Sequence, residues 1–210
     1  MDYYVSDDEQ IEALKKWWQA NWGAITAGIL IGLGMVFGWQ YWISYRASQA
    51  EQASVHYHAL LQAAEQQDLA KALEQGQILR ADYGNSAYTV LAALELARLA
   101  VAAVDNTIAI QQLEWVIKHA RQDEIKDIAR LRLVRILLAE KRYDEAEARL
   151  DEVKNTGFTA EQEELKGDLY VTRNDPDKAR RAYQAALAAR SGNVLLQMKL
   201  DNLPSPAGKE

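Results

Sequence analysis

The sequence predicts an all-α protein in which a single N-terminal transmembrane helix is followed by a solenoid of stacked helix pairs. Residues 23–42, GAITAGILIGLGMVFGWQYW, are apolar, and as a helix they would measure roughly 30 Å, the thickness of a bilayer's hydrocarbon core. Helix-forming residues dominate the rest, with only 11 Gly and 3 Pro in the whole chain. Alanine-centred patterns that recur at steps of 33 or 37 residues are typical of a helical repeat.

Net charge and composition exclude several classes of function. The 210 residues carry a formal net charge of −6, so no basic field attracts a nucleic-acid partner. The chain has no cysteine, which excludes disulfides, thiolate zinc sites, cysteine nucleophiles and lipoprotein acylation. Hydrophobic residues make up 49% of the sequence, enough for a soluble domain with its own core beside the membrane segment.

The predicted transmembrane helix covers residues 22–45. No Asp, Glu, Lys, Arg or His occurs from Trp22 to Ile43, and a buried core helix would not require aromatic rings at both ends of such a run. A cleaved signal peptide has a shorter apolar region, about 7–15 residues, and small residues at its cleavage site, where this chain has the bulky WQYWIS. We therefore expect an anchor that stays in membrane lipid. The flanking aromatic residues are Trp17, Trp18 and Trp22 on one side and Trp39, Tyr41, Trp42 and Tyr45 on the other.

Charges beside the span favour a cytosolic N-terminus and a C-terminal domain on the far side of the membrane. Lys15 and Lys16 precede the span, whereas Arg46 follows it, and positive charge is retained on the cytosolic side. The predicted short cytosolic tail, residues 1–21, has Ser6 and Glu9 at capping-box spacing.

The tail is therefore expected to contain a short amphipathic helix with Ile11, Leu14 and Trp18 on one face. This helix either docks on a cytosolic partner or on the bilayer surface, or it is a solvated flank that only sets the topology.

Two glycine pairs in the span have the spacing that lets transmembrane helices approach each other closely. They are Gly28 with Gly32 and Gly34 with Gly38. The contact would be made with a partner protein or with a second copy of the chain. Alternatively, these glycines reflect only the general frequency of Gly in transmembrane helices.

After the span, the sequence predicts a helical connector over residues 46–68 and a repeat domain over residues 69–210. The anchor alanines of four successive units are Ala72, Ala109, Ala146 and Ala179, and the pattern around Ala72 matches worst. The last unit is the clearest, because its residues stand at the offsets of the tetratricopeptide repeat. These residues are Gly167, Tyr170, Ala179, Tyr183 and Ala186.

Local signals predict where the helices of the last unit begin. Asp175 and Pro176 are expected to be the N-cap and first residue of one helix, and Thr159 and Gln162 have capping-box spacing at the start of another. A final helix is expected to cover the apolar face of the last repeat and so to cap the solenoid. It has Leu195, Met198 and Asn202 on one side, with Leu196, Leu200 and Leu203 beside them.

No catalytic, cofactor-binding or metal-binding constellation is found in the sequence. His56 and His58 would point to different sides of a helix, and His119 stands alone. A Gly-rich phosphate loop would have to follow a strand, and no strand is predicted. We expect a protein that is not an enzyme and that uses no cofactor or metal.

The repeat register predicts a partner-binding surface on the concave face, which the first helix of each unit lines. A mostly aliphatic surface with two arginines suits an apolar or amphipathic segment of a partner, unless the connector helix or the C-terminal cap fills it. Trp115 is either an exposed binding anchor or an edge contact within the array. The lining residues are Leu91, Leu94, Arg98 and Val101 in one unit and Ile128, Leu131, Arg135 and Leu138 in the next.

Taken together, these features resemble the YfgM-like ancillary subunits of the bacterial Sec translocon. The resemblance is carried by the acidic tail with DDEQIEALKKWW, the span ending in GWQYW, the divergent repeats and the terminal MKLDNL. It implies a single-pass protein of the inner membrane of Gram-negative bacteria with its repeat domain in the periplasm. It also implies association with the SecYEG translocon and with a PpiD-like periplasmic chaperone related to prolyl isomerases.

The resemblance implies one main function and one alternative. The main hypothesis is a non-enzymatic module that links the chaperone to the translocon and assists newly exported client proteins. The alternative is a regulatory membrane protein whose acidic cytosolic tail controls a stress-response regulator. A third arrangement, a cleaved and freely soluble periplasmic protein, would require removal of the span.

Overall fold

The structure, a computed structural model, describes residues 7–204. Within that range every regular element is helical, which confirms the all-α prediction. The chain divides into two compact units between Glu51 and Gln52. The helices are α1 (Asp7–Glu65), α2 (Leu69–Asp82), α3 (Ala87–Ala102), α4 (Asn106–His119), α5 (Asp123–Ala139), α6 (Tyr143–Asp151), α7 (Thr159–Thr172), α8 (Pro176–Ala189) and α9 (Val194–Asp201), with a 3₁₀ turn at Thr156–Phe158.

The first unit contains the candidate membrane span. Among the described residues, α1 is the one helix long and apolar enough to cross a bilayer, and none of its most apolar window is buried. Polar groups near the start of the span are satisfied within the helix, as hydrocarbon surroundings require. Thr26 Oγ1 donates to the Trp22 carbonyl oxygen at 2.7 Å. These features agree with the predicted transmembrane helix.

Aromatic side chains at the ends of the span are exposed. Trp22 is 58% exposed at one end and Trp39 63% at the other. The Arg46 guanidinium lies 4.4 Å from the centre of the Trp42 ring, so the first cation after the span is held against an aromatic side chain. The predicted cap formed by Ser6 and Glu9 lies outside the residues whose side chains are described.

The second unit is a stack of helix pairs, and its first pair includes the end of α1. Ala53 and Leu60 of α1 are fully buried, in one cluster with Ala72 and Leu79 of α2. The structure thus places residues 52–65, which the sequence analysis assigned to a connector, in the core as the first helix of a first repeat. The other pairs are α3 with α4, α5 with α6, and α7 with α8.

The same turn joins the two helices of each of these four pairs. Its central residue has a left-handed backbone, and the following N–H donates to a carbonyl five residues back, which closes the first helix. The φ angles are 57° at Gln67, 60° at Val104, 62° at Lys141 and 58° at Asn174. The closing bonds are Asp68 to Ala63, Asp105 to Ala100, Arg142 to Leu137 and Asp175 to Tyr170, at 2.8–2.9 Å.

An aspartate caps the second helix in three of these turns. Asp175 accepts the Lys178 N–H at 3.1 Å, and Pro176 follows at the first helical position, as predicted. Asp68 and Asp105 cap α2 and α4 in the same way, whereas Arg142 makes no side-chain cap for α6. The four anchor alanines, Ala72, Ala109, Ala146 and Ala179, are all 0% exposed, so the unit with the poorest sequence match is structurally complete.

The capping box predicted for Thr159 and Gln162 is wrong. The Gln162 side chain instead donates through Nε2 to the Leu150 carbonyl oxygen at 2.7 Å, and Thr159 Oγ1 donates to the Thr156 carbonyl oxygen at 2.8 Å. The last carbonyls of α6 lack partners within their own helix, and Gln162 supplies one from α7.

Helix α9 packs on the last pair as expected of the final helix. Leu196 is 2% exposed and joins Ala179, Tyr183 and Ala186 of α8 in one cluster. Leu200 and Leu203 pack against the same cluster and remain partly exposed.

Candidate protein-interaction surface

The aliphatic residues predicted to line the concave face stand at repeated offsets from the anchor alanines. Leu91 and Val101 of α3 are 40% and 46% exposed. Leu94 of α3 and Leu138 of α5 are half-buried against the core. Ile128 of α5 is also half-buried. We call these five residues the first-helix strip.

Leu131 does not belong to this surface. It is 1% exposed and is a member of the main core cluster. The sequence pattern could not separate Leu131 from Leu94, because both stand 15 residues before an anchor alanine. The difference arises from packing, since neighbouring side chains bury Leu131 completely and Leu94 only in part.

The two arginines of the predicted surface are both exposed and paired with acids. Arg98 Nη2 donates to Glu95 Oε1 at 2.6 Å and Arg98 Nε to Glu95 Oε2 at 3.0 Å, and these hydrogen bonds raise the pKa of Arg98. Arg135 donates from α5 to Glu161 of α7.

The fourth unit continues the surface with acidic residues at most of these positions, which the sequence pattern did not predict. Val171 stands eight residues before its anchor Ala179, as Val101 and Leu138 stand eight residues before theirs. It is 45% exposed. The other equivalent positions of α7 are acidic instead of aliphatic. They are occupied by Glu161, Glu164 and Asp168.

Helix α9 neutralises part of this acidic section. Lys199 Nζ donates to Glu164 Oε1 at 2.8 Å and to both oxygens of Asp168 at 2.9 Å. Burial acts to lower the pKa of Lys199, but these carboxylates outweigh it and raise that pKa. A hollow of about 370 Å³ lies between α5, α7 and α9, bordered by Leu138 and Lys199.

Neither of the two helices proposed as internal occupants covers the exposed strip residues. The end of α1 packs against Leu96 and Leu99 of α3 rather than against Leu91 or Val101. Helix α9 contacts α7 through Lys199 and shares with Leu138 of α5 the border of the hollow described above.

Trp115 contacts other side chains of the array. The Arg80 guanidinium of α2 lies 4.7 Å from the centre of its indole ring, and the His119 ring stacks on it at 4.4 Å. Burial lowers the pKa of Arg80, whose Nη2 also donates to Gln112. The indole is partly buried at the junction of α2 and α4.

The histidines make ordinary structural contacts. His56 Nδ1 lies 2.9 Å from Gln75 Oε1, and His119 Nδ1 lies 2.8 Å from the Trp115 carbonyl oxygen. Over residues 7–204, no group of three or more His, Asp or Glu side chains is arranged to hold a metal ion.

The glycine pairs of the span face open space. A β-carbon on any of Gly28, Gly32, Gly34 and Gly38 would meet no other atom of the described chain within 4 Å. No other part of the described chain therefore covers these four glycines.

Four helix pairs joined by one kind of turn, in a chain with a candidate membrane span, define a membrane-associated protein of the tetratricopeptide-repeat class. The family model described as a tetratricopeptide repeat-like domain matches residues 15–205. The chain is 31% identical to the ancillary SecYEG translocon subunit of Haemophilus influenzae, over 97% of this chain and 100% of that one. It is 30% identical to that of Escherichia coli, over 97% of this chain and 99% of that one.

The chain therefore belongs to the family of ancillary SecYEG translocon subunits. A more distant member, from Neisseria gonorrhoeae, is 26% identical over 97% of this chain and 100% of its own length. No solved structure matches the chain.

Proposed function

We propose that this protein is a non-enzymatic ancillary subunit of the SecYEG translocon in the inner membrane, with its repeat domain in the periplasm. The observation that carries the proposal is that relatives named for this role match both the candidate span and the repeats, over 97% of the chain. In this proposal the first-helix strip binds a PpiD-like chaperone and brings it to newly exported clients. Its exposed aliphatic side chains suit an apolar or amphipathic segment.

Crosslinking in native membranes tests the assignment to the translocon and the chaperone separately. We expect the full-length protein to crosslink to SecYEG subunits and to a prolyl-isomerase-related chaperone. The double substitution Gly28→Leu/Gly32→Leu should reduce crosslinking to the translocon if that contact is made through the span. The double substitution Leu91→Asp/Val101→Asp should reduce crosslinking to the chaperone. Recovery of neither partner by the unsubstituted protein would contradict the proposal.

The absence of native cysteine makes the proposed topology directly measurable. A single cysteine at Ser191, in the exposed loop after α8, should react with a membrane-impermeant maleimide in intact spheroplasts. A single cysteine at Gln10, before the span, should react only after the membrane is permeabilised. The reverse pattern would place the repeat domain in the cytosol.

A regulatory role for the tail is the second candidate, and one observation favours it. Helix α1 already begins at Asp7, and Ile11, Leu14 and Trp18 expose 56%, 66% and 53% of their surface on one helical face. Deletion of residues 2–12 should leave translocon and chaperone crosslinks intact if the first proposal holds. Loss of a stress response on this deletion, with crosslinks preserved, would assign the tail its own function.

A further inference from the structure

The hollow between α5, α7 and α9 has an apolar lining that continues the first-helix strip. Its volume of about 370 Å³ lies within the range of pockets that hold small organic ligands. Leu138, a member of the strip, lines it together with Ala139 and Leu165. Leu165 is 4% exposed, whereas Ala139 is exposed, so the apolar lining extends from the core to the surface.

The charged groups around the hollow balance each other. Two cations and two carboxylates line it, and Lys199 Nζ donates to both carboxylates. An occupant with a net charge would have to bury that charge without a partner, which is unfavourable. The lining therefore suits an uncharged occupant. The charged lining residues are Arg135, Lys199, Glu164 and Asp168, and the adjoining hollow adds one further pair of opposite charge, Glu161 and Arg190.

The same charged groups favour an aromatic occupant over an aliphatic one. Ammonium and guanidinium groups are attracted to the face of an aromatic ring, and most strongly to that of an indole. The Glu164 carboxylate contacts Lys199 Nζ through Oε1 at 2.8 Å, and it can accept a further hydrogen bond because a carboxylate offers about four lone-pair sites. A tryptophan side chain meets both conditions, since its apolar ring carries an N–H donor at the edge.

We propose that the partner segment bound by the first-helix strip places a tryptophan side chain in this hollow. The inference rests on the proposed function, because it names the anchor residue of the same partner. The indole packs against Leu138 and Leu165, faces the Lys199 ammonium and donates its N–H to Glu164. A large aromatic side chain in a pocket with polar groups around it is the arrangement that dominates the energy of many protein interfaces.

A fluorinated amino-acid amide tests the chemistry of the hollow directly. The probe is N-acetyl-fluorotryptophan amide, observed by fluorine NMR during titration with the full-length protein in nanodiscs, and empty nanodiscs give the lipid background. We expect saturable broadening of the probe resonance. N-acetyl-trifluoroleucine amide, which is apolar and uncharged but has no ring, should bind about fivefold more weakly because it gains nothing from the cations.

Ala139→Trp narrows the hollow from its exposed border, and Ala102→Trp is the matched control. Ala102 stands 37 residues earlier, at the equivalent exposed position of α3, so neither substitution removes a core contact. Ala139→Trp should weaken binding of the tryptophan probe about tenfold, because the new side chain competes for the same space. It should also reduce chaperone crosslinking in native membranes more than Ala102→Trp does, and Ala102→Trp should bind the probe as the unsubstituted protein does.

Several results would overturn the tryptophan anchor and leave the proposed function standing. They are chaperone crosslinks without saturable probe binding, equal binding of the leucine probe, equal probe binding by Ala139→Trp with an unchanged denaturation midpoint, and equal losses of crosslinking in the two variants. Stronger probe binding after deletion of residues 205–210 would show that this segment of the chain, and not a partner, occupies the hollow. Saturable probe binding by a protein that forms no chaperone crosslink would instead contradict the proposed function.

Discussion

The ring of Tyr183 lies directly against the backbone of Gly167: a β-carbon on Gly167 would come within 2.2 Å of Tyr183 Cε1. Tyr183 is 3% exposed, and its hydroxyl donates to Asp168 Oδ1 at 2.7 Å. Burial and then this hydrogen bond raise the pKa of Tyr183, so the hydroxyl stays protonated. The contact fixes how closely α7 and α8 approach, because a ring held at both ends has no room to move.

Gly167→Ala should therefore destabilise the repeat domain by about 2 kcal/mol, the cost of overpacking a fixed core position. Chemical denaturation of the full-length protein measures this loss. Gly76→Ala is the matched control, because its new methyl would meet Leu96 Cδ1 at 2.5 Å, the end of a side chain with two rotatable bonds and not a rigid ring. A smaller loss is expected there, and equal losses in the two variants would contradict the prediction.

Asp127 is a buried carboxylate that holds the end of the third unit in place. Asp127 is 1% exposed, and its Oδ1 accepts a hydrogen bond from Arg130 Nη1 at 2.8 Å. Oδ2 accepts the backbone N–H groups of Lys154 and Asn155 at 3.3 and 3.1 Å. The removal of one partner from a buried ion pair costs about 3–5 kcal/mol, so Asp127→Ala should lower the free energy of unfolding by about that amount.

The control for Asp127 lies one turn earlier on α5. Asp123 also pairs with a cation, Lys126, at 2.9 Å, but its side chain is 83% exposed. Asp123→Ala should leave the denaturation midpoint nearly unchanged. Similar midpoints for the two variants would show that burial of Asp127 is not what matters.

Val104 occupies a backbone conformation that a β-branched residue disfavours. Its φ is 60°, and its side chain is 85% exposed, so substitution removes almost no contact. Val104→Asn should stabilise the protein by about 1 kcal/mol. The reciprocal change Asn174→Val, at the equivalent turn with φ 58°, should destabilise it by a similar amount, and thermal unfolding measures both. Stability changes of the same sign would contradict the argument.

The sequence was sufficient to predict the elements that depend on local chemistry. The apolar run, the Asp175–Pro176 helix start and the repeat positions of Gly167 and Tyr183 all follow from residue types at fixed offsets. The first repeat was harder to recognise, because residues 52–65 belong to the same helix as the span and no Gly or Pro separates them. The central positions of the four left-handed turns carry no glycine, and only Asn174 is of a residue type that favours this backbone, so the other three turns gave no sequence signal.

Side-chain exposure could not be predicted at the same level. Leu94 and Leu131 have the same register, yet only Leu131 is buried. The replacement of aliphatic residues by acids in the fourth unit, together with Lys199 from α9, appears only when the helices are assembled. Offsets from the anchor alanines find the first helices, but contacts between neighbouring units decide which of their residues are covered.

The protein should lose stability in acid through its capped and paired carboxylates. Two hydrogen bonds from Lys178 lower the pKa of Asp175. The larger effect comes from the backbone N–H of Lys178 and the smaller from its ammonium group. Because the pKa is lower in the folded state, this stabilisation is complete above the unfolded value of about 3.9 and is lost as the pH falls through the folded value. Asp175→Asn should therefore make the decline in denaturation midpoint between pH 5 and pH 2 shallower. An identical pH profile would contradict this.

The first-helix strip and the core beneath it should respond differently to substitution. Leu91→Asp with Val101→Asp places charge on exposed positions, so the free energy of unfolding should change by less than about 1 kcal/mol. If the strip binds the proposed chaperone, crosslinking to it should fall at least fivefold, because charge would be buried in an apolar contact. Leu131→Ala should instead destabilise the domain by about 2–5 kcal/mol.

Crosslinking yield and denaturation midpoint, measured on the same membrane preparations, separate these effects. Val55→Asp is the matched surface control, since Val55 is 63% exposed and lies outside the strip. Chaperone crosslinking that survives the strip substitutions, or that falls equally with Val55→Asp, would remove the strip from the proposed function. A loss that follows stability alone, as in Leu131→Ala, would show that the partner requires the fold and not these side chains.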